Sequence, residues 1–252
     1  MNRALDVMVA GARRAAGRPA AGASNGILGE EQIGPNSMMR SDVYDQLKER
    51  LFAGELRTGQ FVSQRELAAL LGATLNPVRE AIRKLEAEGL INVYAQKGIQ
   101  IIEGGPKAIN DAYNYRLLLE SNALRFFAVT ADEMKISIVR QKVESALNAL
   151  TEFPEDRNVR LVALDCDYEF HKALIDFQGN DIISKHYSLN AARLRLFRTG
   201  MGEPLQRLEV AAREHLEILD ACLERKPELA AQRLTAHIEV SREHTLGLRP
   251  MH

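Results

Sequence analysis

The chain has 252 residues, of which 46% are hydrophobic and 27% are charged, and its formal net charge is −1. This length is sufficient for two domains, each with its own hydrophobic core. No apolar run approaches the roughly 20 residues that a membrane-spanning helix needs, so we expect no membrane partner. Cys166 and Cys222 have no CxxC partner, which is typical of reduced thiols in a cytoplasmic protein.

Residues 1–36 are rich in Ala, Gly and Arg and lack apolar periodicity, as in GARRAAGRPAAGASNG. A segment of this composition buries too little apolar surface to fold, so we expect a disordered N-terminal extension. Its arginines precede its second acid, which superficially resembles a transit peptide. A tail without function fits the composition better.

The residues after position 62 predict a short first helix. Ser63 is an N-cap candidate, and Glu66 follows at the spacing of a capping box. The apolar face is predicted to consist of Leu67, Leu70 and Leu71. Gly72 ends the helix, because glycine readily adopts the left-handed conformation found at helix C-termini.

A second helix follows the turn and carries the cationic groups of this region. Thr74 or Asn76 can cap it, and Pro77 suits its first turn. The buried stripe is predicted to be Val78, Ile82 and Leu85, and the other face carries Arg79, Arg83 and Lys84. This pattern predicts a helix-turn-helix, whose second helix enters the DNA major groove. Arginine can pair there with guanine edges or phosphate oxygens.

Two short strands, INVY and IQII, are predicted after Gly89, around a tip formed by Gln96, Lys97 and Gly98. A hairpin in this place is the wing of a winged helix-turn-helix. The alternative, an ordinary αα-hairpin with solvated charges on its outer face, does not account for the wing.

The motifs GELRTGQ, SQRELAALLG and PVREAIRKLEAEGLI resemble the winged helix-turn-helix of the GntR family, over residues 40–103. The resemblance implies DNA contacts by Arg65, Thr74, Asn76, Arg79 and Gly98. Arg83 and Lys97 are expected to face the phosphates with Arg65 and Arg79. Leu75 departs from the family pattern, which usually has arginine there. Either the operator differs, or Arg65 and Arg79 carry more of the recognition.

The charge of this module is balanced, because residues 37–103 contain nine Lys and Arg and nine Asp and Glu. DNA binding must then depend on segregation of the charges over the surface. Few phosphates are neutralised per protomer, so we expect DNA affinity to depend only modestly on salt.

The sequence changes character at residues 104–107, which are predicted to be a linker. The apolar residues then keep helical spacing, and helices are predicted at 108–129, 131–150, 158–177, 181–199, 204–225 and 227–246. We therefore predict a mainly α protein. Its parts are a disordered extension (1–36), a winged helix-turn-helix (37–103), the linker and an all-helical bundle (108–248) that can house a ligand or metal.

Four side chains of the predicted bundle have metal-binding chemistry: Asp167, His171, His215 and His237. Asp167 and His171 are four residues apart, so both project from one face of one helix. Three imidazoles and one carboxylate suit Zn, Ni or another late divalent metal. By spacing alone, histidines satisfied in a core or on a surface are the commoner outcome.

The stretches RLLLESNALRFFA, DYEFHKALIDFQGND and REHLEILDACLERKPELAAQRLTAHIE resemble the FCD ligand-binding domain of the FadR subgroup of GntR regulators. The resemblance implies that the four side chains bind one metal, with zinc as first choice. It also implies a small carboxylate or sugar acid as effector, held by the metal and by arginines. Arg116 is the first candidate anchor, although its spacing to Glu120 equally permits an ion pair. Of Arg193 and Arg195, one is expected to face the cavity, and Arg193 is our candidate.

Together these features predict a cytoplasmic, homodimeric transcription regulator, not an enzyme, that binds a two-fold-related operator and responds to a small organic acid. Repression relieved by the effector is the family default. One alternative is a metal-responsive repressor, in which the metal itself is the signal. Another is a metal-dependent hydrolase or lyase, with Glu169 or Glu214 as the general base.

Overall fold

A computed structural model describes residues 35–201 and 205–248. These residues form nine helices and one three-stranded sheet, so the chain is mainly α, as predicted. The helices are α1 (Pro35–Phe52), α2 (Gln64–Leu71), α3 (Leu75–Ala87), α4 (Pro106–Thr130), α5 (Glu133–Glu152), α6 (Arg157–Asp176), α7 (Asp181–Met201), α8 (Leu205–Leu223) and α9 (Pro227–Thr245). The strands are β1 (Phe61–Val62), β2 (Ile91–Tyr94) and β3 (Gly98–Ile101).

Helices α1 to α3 and the sheet form the reading head, a winged helix-turn-helix. The strand order is β1-β3-β2, and both pairings are antiparallel. The hairpin predicted for the wing is confirmed, with Ile91 opposite Ile101 and Tyr94 opposite Gly98. Helix α1 and strand β1 were not predicted. Most of the expected N-terminal extension, residues 1–34, lies outside the described residues.

The capping box of α2 is present as predicted. The backbone N–H of Ser63 donates to Glu66 Oε2 at 2.6 Å, and the N–H of Glu66 donates to Ser63 Oγ at 3.2 Å. The predicted apolar face is wrong at Leu70, which is 38% exposed. Ala68 packs beside Leu67 instead, because the centre of the buried face lies nearer to position 68 than to position 70 on a helical wheel.

Helix α3 packs its predicted stripe inward, and Val78, Ile82 and Leu85 are all buried. Thr74 takes the N-cap position, but its side chain makes no capping hydrogen bond. The helix therefore begins at Leu75, which is left exposed at the N-terminal end of α3.

Six helices, α4 to α9, form the helical bundle at bounds close to those predicted. Helix α4 begins at Pro106, inside the segment expected to be a linker, because proline suits the first turn of a helix. The bundle core includes Leu124 and Phe127 of α4 and Leu234 and Ile238 of α9. None of the described helices combines the length and apolarity that crossing a bilayer requires.

Both cysteines lie in the bundle, Cys166 on α6 and Cys222 on α8. They are free thiols, as predicted. Burial raises the pKa of each thiol to about 12, so neither is a reactive thiolate near neutral pH.

Helix α7 contacts both the bundle and the reading head. Its Tyr187 and Leu194 belong to the bundle core, whereas Leu196 is 1% exposed and packs in the core of the reading head. Further along, Thr199 Oγ1 lies 3.5 Å from the carbonyl oxygen of Phe52 at the end of α1. One helix therefore joins the two cores.

Candidate metal centre

The four side chains that were predicted from the sequence as metal ligands lie close together in the structure. Asp167 and His171 project from one face of α6, one helical turn apart, as their spacing requires. His215 comes from α8 and His237 from α9. All four are buried, and one ligand atom from each lies within 4.8 Å of the others.

The imidazole Nε2 atoms and one carboxylate oxygen face one another at distances suited to a shared ion. Nε2 of His237 lies 3.2 Å from Nε2 of His215 and 3.3 Å from Nε2 of His171. Asp167 Oδ1 lies 3.7 Å and 3.9 Å from Nε2 of His215 and His171, respectively. A tetrahedral zinc site with bonds of about 2.0 to 2.1 Å has edges of about 3.3 to 3.4 Å. The two distances between imidazole nitrogens are close to this edge and the two carboxylate distances are somewhat longer, so the donor set is compatible with one shared divalent metal.

Burial favours the neutral form of two histidines of this cluster, His215 and His237, and this is the form that metals require. Burial lowers the pKa of His215 well below its usual range, and the neighbouring histidines lower it further. Burial also lowers the pKa of His237 to about 4, against the opposing hydrogen bond to Glu214. Neutral imidazoles keep a lone pair on one ring nitrogen, which is the electron pair that a metal uses.

Asp167 supplies the negative charge of the cluster. Burial by itself would raise its pKa, but Arg198 Nη1 lies 2.6 Å from Oδ2 and, with the histidines, holds the pKa well below its usual range. Arg198 engages one carboxylate oxygen, while Oδ1 faces the histidines. The sequence reasoning did not single out Arg198, although it lies three residues after Arg195 and so near the same helix face.

A cavity of about 40 Å³ lies beside Asp167 and His171 and is lined by three arginines, Arg116, Arg195 and Arg198. Arg116 Nε donates to Glu120 Oε1 at 2.7 Å, so the ion pair anticipated from their spacing is present. Its Nη2 is buried and has no hydrogen-bond partner among the described residues. The guanidinium of Arg116 thus makes an ion pair through Nε and keeps a hydrogen-bond donor, Nη2, without a partner among the described residues.

Arg193, which was predicted as an effector anchor, does not line this cavity. Its Nε donates to the carbonyl oxygen of Glu88 at 3.3 Å, and its side chain lines a separate cleft with Tyr115 and His186. Arg195 lines the cavity instead, and its Nε is buried without a partner among the described residues. A helix turns by about 100° per residue, so positions 193 and 195 point in nearly opposite directions.

The predicted DNA-contacting side chains lie on the surface of the reading head. Six of them are exposed: Arg65, Thr74, Asn76, Arg79, Arg83 and Lys97. Arg79 Nε also donates to Gln64 Oε1, which links α3 to α2. Gly98 is half-buried at the start of β3 with a φ of +98°, and a Cβ there would lie 2.9 Å from the Val62 carbonyl oxygen. The glycine is therefore required by the wing itself, whether or not it touches DNA.

Comparisons with known proteins agree with this architecture. The family described as FCD domain matches residues 111–240, just over half of the chain, and the family described as bacterial regulatory proteins, gntR family, matches residues 39–101. The HTH-type transcriptional regulator YdhC of Bacillus subtilis is 27% identical over 201 residues, which cover 80% of this chain and 88% of YdhC. The HTH-type transcriptional repressor NanR of Klebsiella aerogenes is 27% identical over 221 residues, covering 78% and 81%.

A crystal structure of a GntR-type transcriptional regulator from Rhodococcus sp. RHA1 has the same fold. It matches with a TM-score of 0.71 at 20% identity and covers 84% of this chain and 100% of that one. A winged helix-turn-helix followed by an FCD domain defines a DNA-binding transcription regulator, not an enzyme. The chain belongs to the GntR family of bacterial regulators, in the branch that carries an FCD domain. Regulators of this family bind operator DNA, and the predicted fold and class are confirmed.

Proposed function

We propose that this regulator holds one divalent metal ion, with Zn²⁺ as first choice, at Asp167, His171, His215 and His237. The observation that carries the proposal is the convergence of three imidazoles and one carboxylate in a buried core. In neutral rings whose Nδ1 atoms donate to Glu120 and Glu214, Nε2 of His171 and Nε2 of His237 both present lone pairs, which repel across 3.3 Å unless a cation lies between them. Ni²⁺ and other late divalent metals accept the same donors.

The effector in this proposal is a small organic acid that binds in the cavity beside the metal. The metal supplies a Lewis-acid position for an anionic oxygen. Arg116 Nη2 and Arg195 Nε are buried donors that lack partners among the described residues, so each can donate a hydrogen bond to a carboxylate. Bonds of this kind are charge-assisted, and a guanidinium can hold a carboxylate through two of them.

Operator recognition is assigned to residues 37–103 and effector sensing to residues 108–248. DNA contacts are proposed for Arg65, Thr74, Asn76, Arg79, Arg83, Lys97 and Gly98. A homodimer would present two reading heads to a two-fold-related operator. The effector regulates the protein only by binding one arrangement of these heads better than the other.

A panel of small carboxylates, screened by thermal unfolding, tests the proposal. The protein is prepared in two forms, loaded with Zn²⁺ and stripped with a chelator, and metal content is measured in both. We expect one metal ion per chain and a carboxylate that raises the melting temperature of the loaded form alone. Equal shifts in both forms would place the carboxylate away from the metal.

The metal-responsive repressor remains a second candidate, because four protein donors are enough to complete a tetrahedral shell. An effector oxygen coordinates only if the coordination number rises above four. If Zn²⁺ alone changes operator affinity and no carboxylate alters it further, the metal is the signal. If Zn²⁺ alone leaves operator affinity unchanged, the metal is a fixed part of the effector site.

A further inference from the structure

Two histidines of the metal centre are each bonded to a carboxylate on a neighbouring helix. His171 Nδ1 on α6 lies 2.7 Å from Oε2 of Glu120 on α4. His237 Nδ1 on α9 lies 2.7 Å from Oε2 of Glu214 on α8. A contact between Nδ1 and a glutamate therefore occurs twice, in two different pairs of helices. In both rings Nδ1 is the nitrogen that faces away from the other donors.

These contacts determine which ring nitrogen carries the hydrogen. An ionised carboxylate only accepts hydrogen bonds, so Nδ1–H of His171 and of His237 must be the donor. Nε2 of each ring faces the other ligands, and it carries the lone pair when the ring bears a single hydrogen. A carboxylate on the outer nitrogen also makes the inner nitrogen a stronger metal ligand.

Each of the two carboxylates is held by cationic or hydroxyl groups of its own. Glu214 Oε2 also accepts from Arg207 Nη1 at 2.9 Å. Glu120 Oε1 accepts from Arg116 Nε and from the hydroxyl of Tyr187, both at 2.7 Å. Both glutamates are thus oriented before any metal arrives, and Glu120 ties the ligand His171 to the cavity residue Arg116.

His215 is oriented in another way. Its ring stacks on Phe170, with ring centroids 3.9 Å apart and an angle of 20° between the planes. Packing against an aromatic ring fixes the plane of this imidazole. Among the three histidines, His171 and His237 are therefore oriented by a carboxylate, whereas His215 is oriented by aromatic packing.

We infer that Glu120 and Glu214 are positioning residues of the metal centre, each presenting Nε2 of one histidine to the metal. The inference rests on the proposed metal site. It assigns a role to two acidic residues that do not touch the metal, and it places Glu214 outside the site as a support for His237, not inside it as a general base.

Zinc affinity of the full-length protein tests this inference, measured by competition with a chromophoric chelator. Glu214→Gln is the main variant, because Glu214 is partly exposed and an amide has nearly the same shape. We expect about 10- to 100-fold weaker Zn²⁺ binding, the usual effect of losing such a support. Glu239→Gln is the matched control, since Glu239 is an exposed acid two residues after His237 on α9. It should bind Zn²⁺ as the wild type does.

Glu120→Gln is the second variant, with Asp111→Asn as its control. Glu120 is fully buried beside Arg116, so its loss can also impair folding. Asp111 is an exposed acid of the same helix, and it pairs with Lys107 on the surface. We expect weaker Zn²⁺ binding and a changed Co²⁺ absorption spectrum for folded Glu120→Gln, and wild-type values for Asp111→Asn.

The outcomes separate this inference from the proposed function. If the wild type binds Zn²⁺ tightly and Glu214→Gln binds it equally tightly with an unchanged Co²⁺ spectrum, the positioning role is wrong and the metal site stands. If the wild type itself fails to bind Zn²⁺ or Co²⁺, the proposed metal site is wrong and the inference is overturned with it.

Discussion

At the scale of single residues, Arg116 combines a structural bond with a donor that is available to a ligand. Its Nε is committed to Glu120, whereas its Nη2 is buried without a partner among the described residues. A buried donor without a partner is costly in a folded protein. An anion in the adjoining cavity would satisfy it.

Arg116→Lys keeps the positive charge but replaces the fork with a single ammonium group. The lysine can pair with Glu120 or with a ligand carboxylate, but not with both in the same geometry. We expect carboxylate affinity to fall by about 10- to 100-fold, as the loss of one charge-assisted hydrogen bond implies. Calorimetric titration of the zinc-loaded protein measures this effect. Arg125→Lys, a change at a more exposed arginine of the same helix, should leave the affinity unaltered.

At the scale of single elements, the sequence predicted those features that are local in the chain. The capping box of α2 and the stripe of α3 depend on residues three or four positions apart. Leu70 was misplaced because burial of a short helix is decided by its neighbours. The bond between Glu120 and His171, 51 residues apart, and the position of Arg195 beside the cavity both depend on how the helices pack.

Leu75 tests the interpretation of the recognition helix. It is exposed at the first position of α3, where the family resemblance implies an arginine. We expect Leu75→Arg to tighten DNA binding and to steepen the salt dependence by about one phosphate contact per protomer, a slope change of about 0.9. Anisotropy titrations at several salt concentrations measure this slope. Val129→Arg, the same charge change in the bundle, should not alter it, and equal slopes for both variants would count against the assigned contact.

Helix α7 is the element that links the cavity to the reading head. Arg195 lines the cavity and also lies over the ring of Phe52 in α1, with its guanidinium carbon 4.6 Å from the ring centroid. Leu196, the next residue, is buried in the core of the reading head. A ligand that moves Arg195 therefore acts on a helix that is already fixed to the DNA-binding part.

Leu196→Ala measures how firmly α7 is fixed to the reading head. Truncation of a buried leucine leaves a cavity, so we expect the free energy of unfolding to fall by about 2 to 5 kcal/mol. Ile182→Ala is the control, because Ile182 lies on the same helix and is 72% exposed. Its effect should stay within about 0.5 kcal/mol. Chemical denaturation of both variants measures the two changes in the free energy of unfolding. Equal changes would show that α7 is not anchored at Leu196.

At the scale of the whole molecule, the proposed metal joins three helices of the bundle. Its ligands come from α6, α8 and α9, and α6 also lines the cavity together with α7. An ion that binds the folded chain and not the unfolded chain stabilises the fold by mass action. The proposed metal would therefore be both a structural cross-link between these helices and one wall of the proposed effector cavity.

Removal of the metal should lower thermal stability. A free metal concentration 100 times the dissociation constant adds about 2.7 kcal/mol to the free energy of unfolding. We expect the melting temperature of the wild type to fall on chelation and to recover with Zn²⁺. His215→Ala should show neither change and should also lose its response to carboxylates. A zinc-dependent rise in the melting temperature of His215→Ala would argue that the ion binds elsewhere.

A small carboxylate at the metal centre is proposed to control operator binding. The most direct measurement is fluorescence anisotropy of zinc-loaded protein on DNA from its own upstream intergenic region, against an unrelated duplex of equal length. With a carboxylate found by the thermal screen, we expect operator affinity to change at least tenfold in the wild type and not in Arg116→Lys or in metal-free protein. Operator affinity that stays constant across the carboxylate titration, or that changes equally in metal-free protein, would show that a carboxylate at this site does not control operator binding.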